Sequence, residues 1–225
     1  MHARTIFTSF TVLAMSASLA QADILASYDF STSQSPAATA PDVSASAFDG
    51  VSATNDGSVS GDIGRSGGSQ NMFLRTDATA ATQPAALDDD DYFQFTIGPD
   101  SVPSITVGSI TLDHGGGIGS GNTNSFNTTI YLQSSINGFG SANPVLGSAS
   151  HEVTSAKSLA TTTIYLPPAF QSLSSSVTFR IYASDDNDVN NDTVRIDNVI
   201  VVPEPASLAL MGLGGMVMLR RHSRS

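Results

Sequence analysis

Aspartate and asparagine carry most of the chemistry this chain can offer. In SDDNDVNNDTVRIDNV, residues 184–199, side-chain oxygens recur at Asp186, Asp188, Asn190 and Asp192. Alternating carboxylates and amides suit Ca²⁺, which takes about six to eight oxygen ligands. The glycine and distal glutamate of an EF-hand loop are absent, so the pattern is partial, and the same residues also read as a solvated turn between strands. A second run, LDDDDYF, sets Asp88, Asp89, Asp90 and Asp91 just before a strand and has the same two readings. Asp29 and Asp197 form a third candidate. They lie on the first and last strands, and if those strands are neighbours the two carboxylates can share one structural cation, or else bond to Arg195 and solvent.

Catalytic groups are scarce. The chain has no cysteine, hence no disulfide and no thiolate nucleophile. Of the four histidines, only His114 and His151 fall in the body, and neither has the second histidine of a zinc motif at helical spacing. Both read as exposed loop residues. No G-x-S-x-G elbow is present. The glycine cluster HGGGIGSGN, residues 114–122, has no lysine and leads into a strand, so it reads as a flexible loop and not as a phosphate cradle. A sandwich-type glycoside hydrolase needs paired carboxylates about 5 to 10 Å apart. The body offers Glu152 as its one glutamate, and the expectation is a protein without enzymatic activity. Sugar binding is the remaining surface chemistry, with rings stacking on apolar sugar faces. Tyr131 and Tyr182 on strands and Asn137 with Phe139 in SSINGFG are its candidates, against the absence of tryptophan.

These groups must be positioned by strands. Short apolar and polar alternations recur at ILASYDF (24–30), MFLR (72–75), DYFQFTI (91–97), ITVGSITL (105–112), TTIYLQ (128–133), TTTIYL (161–166), VTFRIYA (177–183) and VRIDNVIVV (194–202). Gly, Asn, Asp and Ser punctuate them. About eight strands with long connections predict an all-β, antiparallel, jelly-roll-like sandwich. In the fourth stretch the apolar phase changes, which predicts a bend near Gly108.

The two ends of the chain follow different rules. Residues 1–22 have one cation at Arg4, an apolar run and Ala20-Gln21-Ala22, the pattern of a secretory signal peptide with the mature chain starting at Asp23, or cleavage after Ala20 as the alternative. Residues 206–219 form an apolar run of 14, too short for the roughly 20 residues of a permanent span. Arginines at its end have the positive-inside sense, which fits a transient span. Between the ends, residues 23–202 hold 5 basic and 19 acidic side chains, a formal charge of −14. Such a surface repels nucleic acid and anionic membranes.

The C-terminal segment resembles the PEP-CTERM sorting signal of exported bacterial proteins. The triplet matches at Pro203, Glu204 and Pro205, the short apolar helix at residues 206–219, and the basic tail at Arg220, Arg221 and Arg224. The body resembles the Ser- and Thr-rich β-sandwiches that precede such signals. The resemblance implies an order of signal peptide (1–22), sandwich (23–202) and sorting signal (203–225). It further implies transient residence in the inner membrane, processing by an exosortase, and delivery to the surface of a Gram-negative bacterium. The expected setting is an extracellular matrix or biofilm, with polysaccharide as partner and calcium as the candidate structural ion.

Overall fold

On DYFQFTI, Phe93, Phe95 and Ile97 point into a core while Gln94 and Thr96 point away, and the same alternation across the chain builds two sheets. The structure is a computed structural model that describes residues 23–51, 63–66, 71–75, 81–88, 91–186 and 192–204. In chain order the strands are β1 (Ala26–Tyr28), β2 (Ala38–Thr39), β3 (Val43–Ala45), β4 (Asp49–Val51), β5 (Ile63–Ser66), β6 (Asn71–Arg75) and β7 (Tyr92–Pro99). There follow β8 (Ser109–Gly117), β9 (Phe126–Ser134), β10 (Gly147–Val153), β11 (Ser158–Tyr165), β12 (Val177–Asp185) and β13 (Thr193–Val202). One short helix, α1 (Gln83–Asp88), precedes β7.

A seven-stranded sheet runs β11-β8-β13-β1-β2, with β6 also on β13 and β5 outside β6; a six-stranded sheet runs β10-β9-β12-β7-β3, with β4 also on β7. All pairings are antiparallel. Strands β6, β13, β8 and β11 lie side by side in one sheet and β7, β12, β9 and β10 in the other, which is jelly-roll order. The fold is thus an antiparallel β-sandwich of jelly-roll type, and the described body lies within one unit, Ala22–Pro205. Between the sheets Tyr28, Phe30, Phe48, Phe93, Phe95, Phe170 and Phe179 form one chain of ring contacts. Burial raises the Tyr28 phenol above its ordinary value, and its hydroxyl donates to the Ser46 carbonyl at 2.9 Å.

Some local expectations change. The expected strand at 105–112 instead runs Ser109–Gly117, taking in His114 and three glycines that read as loop. Ile105 forms an isolated bridge with Leu173. The apolar phase changes at Gly108 as expected, where the chain is out of strand between Ile105 and Ser109, and a further irregularity lies on β13, where Asp197 pairs with Asp113 but Ile200 pairs with Thr111. One extra residue is accommodated there, with Asn198 at φ 47°, as a bulge requires. Gly115 explains why the glycines belong to a strand. A Cβ there would lie 2.7 Å from the His151 ring and collide with the Ser158 carbonyl, so a side chain would prevent β11 and β10 from closing over β8.

Among the described residues no helix is long and apolar enough to cross a membrane. The expected signal peptide, the apolar segment 206–219, Pro205, Arg220, Arg221 and Arg224 lie outside the described residues, as do Asp89, Asp90, Asp188 and Asn190.

Candidate functional site

The outward face of the six-stranded sheet gathers most of the expected sugar-binding residues. Tyr131 on β9 and Tyr182 on β12 are register partners. They pack with Tyr92 under Ala86 and Leu87 of α1. Their exposures are 7% and 1%, so neither ring is open for stacking on a sugar. The Tyr131 hydroxyl instead bonds to the Ser184 hydroxyl at 2.9 Å. Arg180, two residues before Tyr182, lies with its guanidinium carbon 3.9 Å from the Tyr92 ring centre and 4.1 Å from that of Phe139. A planar cation between two ring faces is a stabilising stack. The loop carrying Asn137 and Phe139 is pinned from below. Gln133 donates to the carbonyls of Gly140 and Asn143 and accepts from the Gly140 amide, while Asp88 accepts from Ser141. Those bonds, the Ser141 hydroxyl first, hold the Asp88 carboxyl below its usual range. Asn137 is half-buried and its amide donates to the Ser134 carbonyl.

The opposite face carries an arrangement that the sequence reading did not single out. Across β11, β8 and β13, three rows run outward: Tyr165, Ser109, Val202; Thr163, Thr111, Ile200; and Thr161, Asp113, Asp197. Thr111 and Thr163 share a hydroxyl hydrogen bond of 2.8 Å. Asp113 accepts from Thr161 at 2.5 Å and from the Asn198 amide group at 2.8 Å. Tyr165 is 77% exposed at one end of this hydroxyl-rich face. Its signal in the sequence was the alternation of TTTIYL, where Ile164 points inward and therefore leaves Tyr165 outside.

Among the described residues the candidate cation ligands are engaged separately. β1 and β13 are neighbours, as expected. Yet Asp29 turns back to accept from the amide and hydroxyl of Ser31, which hold its carboxyl below the usual range. Asp197 pairs with Lys157 at 3.3 Å. Burial raises its pKa, and the ammonium opposes the rise. Asp186 accepts from the Asn127 side chain and amide at 2.8 and 2.6 Å, which hold its carboxyl low. Asp192 accepts from the Gly119 amide and the Asn122 side chain at 2.6 and 2.8 Å. Among the described residues no three His, Cys, Asp or Glu converge as a metal-holding group.

Asp192 is 1% exposed, and its removal takes the acceptor from the half-buried Gly119 amide and the Asn122 side chain. Asp192→Ala is expected to lower stability by about 2 kcal/mol. Urea unfolding checks this, and Asp192→Asn should recover part of the loss.

The histidines are not loop residues. His114 is buried on β8, and its ring centre is 6.3 Å from that of His151 on β10. The His151 Nε2 lies 2.9 Å from the Ser158 hydroxyl.

At one pole of the sandwich the antiparallel pairing of Ala26 with Val201 brings both ends of the body together. Asp23, Ile24, Val102, Ile105 and Pro203 line an apolar groove of about 650 Å³ there. Beside it, the Gln171 side chain donates to the Glu204 carboxylate at 2.6 Å.

The PEP-CTERM protein-sorting motif matches residues 201–224. The chain is thus an exported protein with a C-terminal sorting signal, and that signal starts on the final residues of β13. No curated protein matches it in sequence. Among solved structures it is similar to a cleaved adhesin domain of Lys-gingipain from Porphyromonas gingivalis, at 12% identity over 80% of this chain and 99% of that one, TM-score 0.38. It is also similar to the xylan-binding module CBM15, at 14% identity over 72% of this chain and 96% of the other, TM-score 0.38. A third is a structure of CBM4, at 13% identity over 79% and 92%, TM-score 0.38.

Proposed function

We propose that the body is a non-enzymatic, surface-displayed module of the envelope or extracellular matrix of a Gram-negative bacterium, acting in a biofilm by contact with exopolysaccharide. The observation that carries this reading is the outward face of the seven-stranded sheet, where the exposed Tyr165 ring stands at one end of rows that continue through Thr163 and Thr111 to Asp113 and Asn198. A ring supplies an apolar platform, and neighbouring hydroxyls, amide and carboxylate supply directional partners for sugar hydroxyls. The formal charge of −14 for residues 23–202 disfavours acidic polymers, so the ligand class is a neutral polysaccharide. Calcium enters as a structural ion of the segment 186–192, supported by the alternating oxygen-bearing side chains of its sequence. A melting temperature raised by calcium and restored by EDTA tests that part.

Electrophoresis of the body through gels containing neutral or acidic polysaccharides tests the main reading. Retardation is expected in a neutral gel, and Tyr165→Ala is expected to weaken it roughly tenfold, the value of about 1.4 kcal/mol of ring contact. Equal mobility in every gel would remove the glycan-contact reading.

A further inference from the structure

The first residues of the sorting motif belong physically to the folded body. β13 ends at Val202, and the next two residues do not leave the surface. Gly108 provides the space. A Cβ there would lie 2.6 Å from the Glu204 Cα and 2.7 Å from the Pro203 carbonyl carbon, and would collide with the Glu204 amide. On the other side, Gln171 donates to the Glu204 carboxylate. Its own backbone is fixed. The turn at Pro168–Phe170 is anchored by the fully buried Phe170 ring, the Gln171 amide donates to Pro168, and the Val107 amide donates to Phe170. Leu173 and Ile105 exchange two backbone bonds. Thus a rigid corner of the sandwich, 33 residues earlier in the chain, holds the acid of the motif.

An enzyme that cuts a chain must surround an extended backbone, and a backbone flush against a glycine of its own domain cannot be surrounded. We propose that the body holds Pro203 and Glu204 closed, with Gln171 as the positioning residue, so that the exosortase acts on a minority state in which these residues have lifted from Gly108. Lifting breaks the Gln171 bond and leaves the β13 ladder whole, which makes it a local opening and not an unfolding step. When opening and closing are fast relative to cleavage, the rate follows the open population.

The test is a pulse-chase of the full chain in a Gram-negative host that contains an exosortase, following conversion of precursor to processed form. Gln171→Ala removes the hold, and processing is expected to accelerate about fivefold, the share of one exposed charge-assisted bond. Gly108→Ala pushes the segment away sterically and should accelerate it also. Gln171→Lys places a cation against the carboxylate and should slow it. Melting temperatures of the two Gln171 variants are expected to equal that of the parent, since Gln171 is exposed and outside the core. Unchanged processing in both Gln171 variants, slower processing in Gln171→Ala, or acceleration accompanied by a fall in melting temperature would each overturn the proposal. Because Gln171 is not part of the row of Tyr165, Thr163, Thr111 and Asp113, polysaccharide retardation in Gln171→Ala should match the parent, which keeps this test separate from the glycan reading.

Discussion

Replacing Phe95 with alanine is expected to destabilise the body by about 4 kcal/mol, within the range for deleting a buried phenyl ring. The ring is 1% exposed. Its centre lies 5.4 Å from Phe179 at 26°, 5.5 Å from Phe48 at 16°, and 5.5 Å from Tyr28 at 55°. These partners come from β12, the segment before β4, and β1, so one side chain joins both sheets. Deletion forfeits the transfer of the ring out of water and leaves a cavity that its neighbours cannot fill without abandoning their own stacks. A domain without cysteines has no covalent tie to compensate. Total stabilities of about 5 to 15 kcal/mol make this a large share. Denaturant unfolding should show a lower midpoint with an unchanged slope. A loss below about 1 kcal/mol would mean that the rings close over the gap, contrary to a core held by this stack. Phe95→Leu should cost less than half as much, because it retains most of the apolar volume.

What the sequence disclosed depended on how local each signal was. Alternation such as Val177, Phe179 and Ile181 against Thr178, Arg180 and Tyr182 is a property of one strand, and it placed seven of the eight expected strands and the sandwich, with the strand expected at 105–112 displaced to Ser109–Gly117. β10, GSASHEV, escaped because small and charged residues in a strand mimic a loop. α1 escaped because six residues, one of them proline, give too little helical period to read. The fate of Tyr131 and Tyr182 was beyond local reading for a related reason. Alternation shows that they leave the core, but only the packing of α1 shows that they are then covered. Tyr165 obeys the same alternation with nothing above it, and is exposed. The sorting signal was legible because its triplet, apolar run and arginines are contiguous. Its contact with Gln171 was not, since it depends on how the 3-10 turn meets the end of β13.

Acid is expected to weaken this protein in two separate windows, and the upper one belongs to His114. Burial, followed by repulsion from His151, lowers the His114 pKa to about 4, with Asp113 opposing the shift. The buried Nδ1 has no hydrogen-bond partner that would favour the imidazolium. The unfolded chain has an ordinary histidine near 6.5. Between those values the unfolded state binds the extra proton, so stability falls as pH falls from about 6.5 to about 4 and is constant on that account above and below. Each pKa unit corresponds to about 1.4 kcal/mol, so the loss across this window is on the order of 3 kcal/mol. The carboxyls of Asp29, Asp88 and Asp186, held low by their hydrogen bonds, lose their contributions only as pH falls below the ordinary aspartate value of 3.8. Denaturant unfolding at pH 7, 5, 4 and about 3 separates the two. His114→Leu, apolar and of similar bulk, should flatten the curve between pH 6.5 and 4 while leaving the loss below pH 3.8 in place. A parent protein equally stable at pH 7 and pH 4.5 would show that the ring is protonated in the fold as readily as in water, and that the glycine-lined closure of β8, β10 and β11 around it is open to solvent.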